Sequence, residues 1–351
     1  MIDNNLYFIL STTCKLINGY KRSLIVDYSR DELFFISNEY YDLLLKLDRQ
    51  RIIDVEKELE DVESVSYFNE FLSFMINNEI AIMTNDAKKF PPLSEVVHDE
   101  YVKIQDVIIE LDELFYDDAS FRKLCKELTE VNCTEFQVRI LSILNLEFLE
   151  KIMQLINTTE ANYLEIHATY NAGIDIDLLH KFIENNAIIS NIYLYGSTKV
   201  KKYSIVNQVD NYQPISLGTV YFLNYPFDNG NCCGLINFES LDFSGFYYTH
   251  NKHKTRNGCL DKKISIDKKG NIKNCPSMKE VFGNINDVTI KNVLTNPEFL
   301  KYWYIHKDKI EICRDCEFRY NCSDCRAFIQ NINNIYSKPS KCSYNPYTCE
   351  W

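Results

Sequence analysis

Cysteines are the residues with the clearest chemical potential in this sequence. Eight of the 13 lie in the last quarter of the chain, namely Cys259, Cys275, Cys313, Cys316, Cys322, Cys325, Cys342 and Cys349. Two C-x-x-C pairs start at Cys313 and Cys322. Thiolates at this spacing can point at one metal from a single tight turn, as in zinc sites and iron–sulfur clusters. The pattern therefore predicts a metal or iron–sulfur site near the C-terminus.

Charge and composition narrow the class of protein. The 351 residues carry a net charge of −12, which argues against nucleic-acid binding because phosphate contacts need clustered Lys and Arg. Residues 251–341 alone carry 18 Lys and Arg against 10 Asp and Glu, a net +8 that leaves −20 for the rest. A local positive field stabilises thiolates and anionic clusters.

The same composition bears on where the protein works. No apolar run approaches the roughly 18 residues needed to cross a bilayer, so no membrane association is expected. The first ten residues lack the basic start and long apolar stretch of a secretory signal. We expect a cytoplasmic protein, whose clustered cysteines bind metal instead of forming disulfides.

The first 85 residues predict a small winged-helix-like α+β domain. Apolar alternation predicts strands at 6–10, 23–28 and 32–36, and helical periodicity predicts helices at 40–47, 55–59 and 65–77. Asn38 and Asp54 are the expected caps of the first two helices. Residues 86–94, which contain two adjacent prolines, predict a linker.

The middle of the chain, residues 95–245, alternates between strand and helix patterns. Strands are predicted at 107–111, 136–141, 163–168, 192–195 and 220–223, with helices at 121–128, 146–156 and 176–185. Such alternation implies a parallel sheet with helices outside, hence an α/β fold with a partial (β/α) barrel or an open wound sheet.

The N-terminal order, with KRSLIVD at 21–27 as the second strand, resembles the PqqD-like peptide-recognition element of enzymes that modify ribosomally made peptides. The resemblance implies a leader peptide bound as an extra strand beside the third strand. That edge comprises Glu32, Leu33, Phe34, Phe35 and Ile36, and its groove Phe68, Leu72 and Met75. The alternatives are that the three groove residues are ordinary core, and that the domain docks a protein partner.

The C-terminal residues 246–351 resemble the SPASM iron–sulfur domain. Residues 259–284 (CLDKKISIDKKGNIKNCPSMKEVFGN) and 313–328 (CRDCEFRYNCSDCRAF) are similar to SPASM-type peptide maturases of grasp-with-spasm systems. Such proteins are encoded beside an ATP-grasp peptide ligase and a short precursor peptide. The resemblance implies that the middle domain is a barrel of radical S-adenosylmethionine (SAM) type.

The resemblance also implies two 4Fe–4S clusters with interleaved ligands. One set is Cys259, Cys275 and Cys325, and the other is Cys313, Cys316, Cys322 and Cys342. The first set lacks a fourth ligand, for which His253, Cys233 and Cys349 are the candidates. The family has three residues inside its last cysteine pair, whereas Cys322 and Cys325 enclose two.

A catalytic radical SAM motif is missing. No C-x-x-x-C-x-x-C occurs, and the position after residues 107–111 reads DELFYDD instead. S-adenosylmethionine is therefore not expected as a cofactor, and Cys14, Cys125 and Cys133 are interpreted as buried inert thiols. No glycine-rich nucleotide motif occurs either, so ATP would be handled by the partner ligase.

Three functional hypotheses follow. The leading one is an iron–sulfur protein of peptide maturation that binds the precursor leader and acts with the ATP-grasp ligase, without identifiable catalytic residues. The second is a zinc-stabilised interaction scaffold, because C-x-x-C pairs bind zinc equally well. The third is an active SAM-dependent radical enzyme that uses a SPASM cluster with an open iron.

Overall fold

A computed structural model describes residues 2–92, 103–114, 116–207, 215–228, 233–244 and 247–351. The chain divides into two compact units. The first unit contains residues 1–98, 235–258 and 305–351, and the second contains residues 99–234 and 259–304. The Cys-rich C-terminal region thus contributes to both units, which groups the segments differently from the predicted domains 1–85, 95–245 and 246–351. Leu93 and Ser94 of the predicted linker lie outside the described residues.

The N-terminal part of the first unit contains five strands and three helices. They are β1 (Tyr7–Leu10), β2 (Cys14–Ile17), β3 (Ser23–Asp27), β4 (Glu32–Ile36), α1 (Asn38–Leu47), α2 (Ile52–Glu56), α3 (Val62–Asn77) and β5 (Ala81–Thr84). Strands β2, β3 and β4 form an antiparallel sheet in that order, and β1 pairs with β5. The fold class of this part as winged-helix-like stays a prediction.

The strand predicted at 6–10 is present as β1, which pairs with β5, and the strand beside the hairpin is β2, which the sequence pattern did not predict. The caps also differ from those expected: the Ser37 side chain accepts from the N–H of Tyr40 at the start of α1, and α2 begins after Arg51 without a side-chain cap.

The second unit is built on an eight-stranded sheet. Its elements are β6 (Asp106–Leu111), α4 (Asp118–Glu130), β7 (Glu135–Ile143), α5 (Leu146–Ile156), β8 (Tyr163–Thr169), α6 (Ile176–Glu184), β9 (Ile189–Tyr195), β10 (Lys201–Asn207), β11 (Ile215–Leu223), β12 (Lys263–Ile266) and β13 (Ile272–Lys273). The strand order is β10-β11-β9-β8-β7-β6-β12-β13, and every neighbouring pair from β11 to β12 is parallel. The prediction of an α/β fold with a large parallel sheet is confirmed.

The hairpin of β12 and β13 joins this sheet. The sequence places a turn at Gly270, which has a φ of +79° and lies close to the Asn284 side chain. The sequence-based domain bounds put these residues in the C-terminal domain 246–351, but β12 pairs in parallel with β6 of the large sheet. Cys259 and Cys275, which flank the hairpin, are therefore positioned by the large sheet.

The other described segments are short helices and irregular chain. They include α7 (Tyr247–Thr255) in the first unit, and α8 (Ile290–Val293) and α9 (Pro297–Leu300) in the second. No disulfide links any two of the described cysteines. In the described part of the chain, no helix combines the length and the apolar character that a membrane span requires.

Candidate metal centre

Four cysteines of the first unit lie close together and form a group that we call the first-unit thiols, Cys313, Cys316, Cys322 and Cys342. Burial raises the pKa of Cys313 to about 11 and that of Cys316 well above its ordinary value. The other three thiols all lie within electrostatic reach of Cys322. The structure thus brings together the set that the family resemblance assigns to one cluster, and their role as ligands stays a prediction.

Buried cations surround the first-unit thiols. The side chains of Lys307, Arg326 and Lys338 are 4%, 5% and 7% exposed. Both Lys307 and Lys338 act on nearby thiols and oppose the effect of burial on the pKa values of Cys313 and Cys342. These cations only partly offset burial, which keeps the pKa values of Cys313, Cys316 and Cys342 raised. Buried charges are costly unless they are compensated, so an anionic group bound at the cysteines would be stabilised here.

One carboxylate holds two of these cations. Asp324 accepts from Lys307 Nζ at 3.0 Å, from Arg326 Nε at 2.7 Å and Nη2 at 2.8 Å, and from Asn257 Nδ2 at 2.7 Å. Burial alone would raise the Asp324 pKa, but the two cations bring it down to about 2. Asp324 therefore supplies one negative charge to two cations beside the thiols.

Three cysteines of the second unit form a comparable group, the second-unit thiols Cys233, Cys259 and Cys275. All three raise the pKa of Lys263 against the opposing effect of burial. Arg139, only 1% exposed, approaches Cys233 with its Nη2 at 3.9 Å from Sγ. Burial raises the pKa of Cys275, and Arg139 and Lys263 oppose that rise. The second-unit thiols therefore lie beside one buried cation, Arg139, and one half-buried cation, Lys263.

The structure separates the three candidates for the missing ligand. Cys233 belongs to the same compact unit as Cys259 and Cys275, whereas His253 and Cys349 belong to the first unit. The His253 ring lies on α7, is 6% exposed and bonds through Nδ1 to the Tyr320 carbonyl at 2.8 Å. Burial lowers the pKa of His253 to about 4.

Cys325 lies in the first unit, so the predicted set of Cys259, Cys275 and Cys325 draws on both units and stays a prediction. Among the described residues, no three His, Cys, Asp or Glu side chains are placed to hold one metal ion. Each group is thus a set of neighbouring thiols whose side chains are not arranged around a common metal position.

The inert thiols behave as predicted. Cys14, Cys125 and Cys133 are at most 1% exposed. Burial raises the pKa of Cys14 and of Cys125 to about 12, and that of Cys133 further. These three cysteines are protonated and enclosed by apolar side chains, which makes them poor nucleophiles and poor ligands.

The predicted peptide-binding edge is β4, which lies at one end of the β2-β3-β4 sheet. Within it Glu32 is exposed, Leu33 half-buried and Ile36 buried. Phe34 meets Phe74 of α3 edge to face, with ring centroids 5.7 Å apart. On the other face of the strand, the 42% exposed Phe35 lies under the Arg22 guanidinium at 3.6 Å.

The predicted groove residues are core. Phe68, Leu72 and Met75 are 2%, 0% and 0% exposed and belong to the N-terminal hydrophobic core. Phe74, which the sequence reasoning did not select, is the aromatic residue of α3 that is 38% exposed and touches β4. Helical periodicity identifies the apolar face of a helix that packs into the core. It therefore does not indicate a half-exposed residue such as Phe74 next to that face.

Comparison with known proteins adds one domain assignment. Residues 259–317 match the family model of SPASM, described as an iron–sulfur cluster-binding domain. The matched segment contains Cys259, Cys275, Cys313 and Cys316, together with Lys263 and Lys307. No curated protein matches the chain in sequence.

Solved structures of SuiB from Streptococcus suis are similar at a low level. The structure bound to S-adenosylmethionine has a TM-score of 0.32 and 11% identity, covering 98% of this chain and 100% of that one. The structure bound to the precursor peptide SuiA has a TM-score of 0.29 and 11% identity, covering 96% and 100%. Similarity of this degree does not assign an activity to the present chain.

Proposed function

We propose that this chain is an iron–sulfur protein in the maturation of a ribosomally made peptide. It binds the leader of the precursor peptide and works with an ATP-grasp peptide ligase in the cytoplasm. The observation that carries the proposal is the position of the thiols: the segment that matches an iron–sulfur domain places its cysteines next to buried Lys and Arg side chains.

Charge is the physical reason to prefer an anionic cluster at these thiols. Four thiolates on an iron–sulfur core leave a negative net charge, which the buried cations neutralise. Lys307, Arg326 and Lys338 serve the first-unit thiols, and Lys263 and Arg139 serve the second-unit thiols.

The ligand sets follow from this placement. The first-unit thiols would hold one 4Fe–4S cluster, and the second-unit thiols would hold the other. Cys233 replaces His253 and Cys349 as the fourth ligand, because it lies in the unit of Cys259 and Cys275. When bound, the clusters supply redox-capable iron and covalent links between distant segments of the chain.

Presentation of the peptide, without radical chemistry, is the activity we favour. The sequence lacks the three-cysteine motif that binds S-adenosylmethionine, and the chain after β6 has acidic residues in its place. The leader would pair as an added strand with the side of β4 that has no partner strand among the described residues. Its side chains would alternate between Phe34 and Phe74 on one face and Phe35 on the other.

The experiment is a titration of the oxygen-free full chain with a fluorescein-labelled leader from the precursor encoded beside its gene. We expect saturable anisotropy, and Phe74→Ala should weaken binding at least fivefold because it removes the aromatic contact beside β4. Tyr67→Ala is the matched control, since Tyr67 is exposed on the same helix. Absence of binding to both the leader and the ligase would remove the proposal.

A further inference from the structure

Aromatic side chains of the first unit gather on the face of β4 to which Phe35 belongs. The ring at their centre is Phe318, which is 2% exposed. Its centroid lies 5.9 Å from that of Phe35, 5.9 Å from that of Phe238 and 6.2 Å from that of Trp351. All four residues belong to the first unit. We call Phe35, Phe238 and Trp351 the aromatic surface.

The three rings of the aromatic surface are only partly covered by the rest of the chain. Phe35 is 42% exposed, Phe238 44% and Trp351 43%. Single exposed apolar side chains are ordinary in soluble proteins, but three of them around one buried ring form a contiguous patch. Such patches mark binding sites, because covering their area with another apolar group is favourable. The aromatic surface is therefore suited to large apolar side chains of a partner.

Polar contacts hold the aromatic surface in one arrangement. The Arg22 guanidinium lies over the Phe35 ring at 3.6 Å and donates from Nε to Glu317 Oε1 at 2.7 Å. The Tyr344 hydroxyl donates to the same carboxylate oxygen at 2.6 Å, and the Tyr344 ring centroid lies 4.8 Å from that of Trp351. These contacts connect β4 to the end of the chain, so a ligand would meet a surface that is already formed.

Phe318 connects the aromatic surface to the candidate metal centre. It lies within the cysteine-rich segment 313–325. Its backbone N–H donates to the Sγ atom of Cys316, one of the first-unit thiols, at 3.4 Å. Because the Phe318 ring also contacts Phe35, the segment that carries these thiols packs directly against β4.

The unpaired side of β4 indicates what would cover the aromatic surface. Among the described residues, β4 has a partner strand on one side only. An open strand edge binds an extended peptide through main-chain hydrogen bonds. The side chains of the added strand alternate between the two faces of the sheet, so every second one points to the face of Phe35.

We propose that the cysteine-rich segment forms half of the leader site and that the aromatic surface binds large apolar side chains of the leader. This inference rests on the proposed binding of the leader at β4 and adds a sequence requirement to it. The bound part of the leader carries large apolar residues at alternate positions that face Phe238 and Trp351. The intervening residues face Phe34 and Phe74. The leader is thus recognised by the N-terminal strands and by the thiol-bearing segment together.

Tryptophan fluorescence tests whether the leader covers the aromatic surface. The sequence has two tryptophans, Trp351 and the 7% exposed Trp303, so Trp303→Phe leaves Trp351 as the only one. Saturating this oxygen-free full-length variant with a tryptophan-free leader peptide should shift Trp351 emission to shorter wavelength, because the ring leaves water. An unchanged emission, with leader binding established by anisotropy, would overturn the inference and leave the proposed function intact. A leader that does not bind at all would overturn both.

Variants of the aromatic surface measure its share of leader binding. Trp351→Ala and Phe238→Ala should each weaken binding about fivefold, because each removes an aromatic contact with the leader. Tyr336→Ala is the matched control and should leave binding unchanged, since Tyr336 is 40% exposed in the same unit but outside the aromatic surface. Folding is checked by circular dichroism. Losses no greater than that of Tyr336→Ala would overturn the inference.

An alanine scan of the leader tests the alternation. Alanine at every second leader position should weaken binding to the unchanged chain but have little further effect on Trp351→Ala, because the contact is already lost. Alanine at the intervening positions should behave in the same way toward Phe74→Ala. Leader positions whose effects are additive with both substitutions would contradict the inference. Should the surface variants fail to fold, the Trp351 emission of Trp303→Phe decides.

Discussion

Replacing Asp324 by Asn tests the buried ion group beside the first-unit thiols. The substitution keeps the size of the side chain and removes one charge. Asp324 has a φ of +72°, a region in which Asn is also well tolerated, so the backbone is not strained by the change. What is lost is the negative charge shared by Lys307 and Arg326.

Two estimates bracket the expected loss of stability. The fall of the Asp324 pKa from 3.8 to about 2 corresponds to about 2 kcal/mol of stabilisation. Removing one partner of a buried ion pair costs about 3–5 kcal/mol, because the remaining charges stay buried and uncompensated. We expect Asp324→Asn to lower the free energy of unfolding of the metal-free chain by about 2–5 kcal/mol.

The same variant should also change the pKa of a neighbouring thiol. Asp324 contributes to the raised pKa of Cys313, so its neutralisation should lower that pKa and increase thiolate absorbance at a given pH. Stability is measured by urea unfolding under reducing conditions, with Glu58→Gln as the control at an exposed ion pair with Lys46. A variant as stable as the unchanged chain, or a Cys313 pKa that rises, would refute the reasoning.

Further predictions concern pH, the fourth ligand and the N-terminal core. Because the folded-state pKa of Asp324 is depressed, its contribution to the free energy of unfolding is complete above pH 3.8 and disappears as the pH falls through about 2. The free energies of unfolding of the unchanged chain and of Asp324→Asn should therefore converge over this pH range. A difference between them that stays constant with pH would count against the depressed pKa. Cys233→Ser should lower the iron content of oxygen-free protein by about four irons per chain, whereas His253→Gln and Cys349→Ser should leave it unchanged. The reverse result would make His253 or Cys349 the fourth ligand. Phe68→Ala should destabilise by about 3–5 kcal/mol in urea unfolding and Phe74→Ala by far less; equal losses would show that the two side chains are equally buried.

The hydrophobic pattern of the sequence predicted most strands and helices of the parallel sheet, because apolar residues recur at the positions that the fold buries. The apolar runs at 107–111 and 163–168 correspond to β6 and β8, whose neighbours are parallel as expected. The same pattern missed β2, because four residues starting at Cys14 alternate too briefly to stand out. It also could not show that β12 pairs with β6, since pairing between strands distant in sequence depends on edges that only the folded sheet presents.

The candidate metal centre was predictable in its thiols but not in its charges. C-x-x-C spacing selects cysteines directly, whereas Lys263 and Lys307 look like ordinary surface lysines in a basic segment. The net +8 of residues 251–341 was the available signal. Sequence reasoning likewise overlooked Phe318, because a single phenylalanine between cysteines gives no indication that Phe35 and Trp351 lie beside its ring.

The central claim is that the cysteines beside these buried cations hold iron–sulfur clusters. Its most direct test is the iron and acid-labile sulfide content of the full chain purified without oxygen. Two 4Fe–4S clusters predict about eight irons and eight sulfides per chain, with about four of each lost in Cys316→Ser. A colourless protein with stoichiometric zinc, or one without iron, sulfide and zinc, would contradict it.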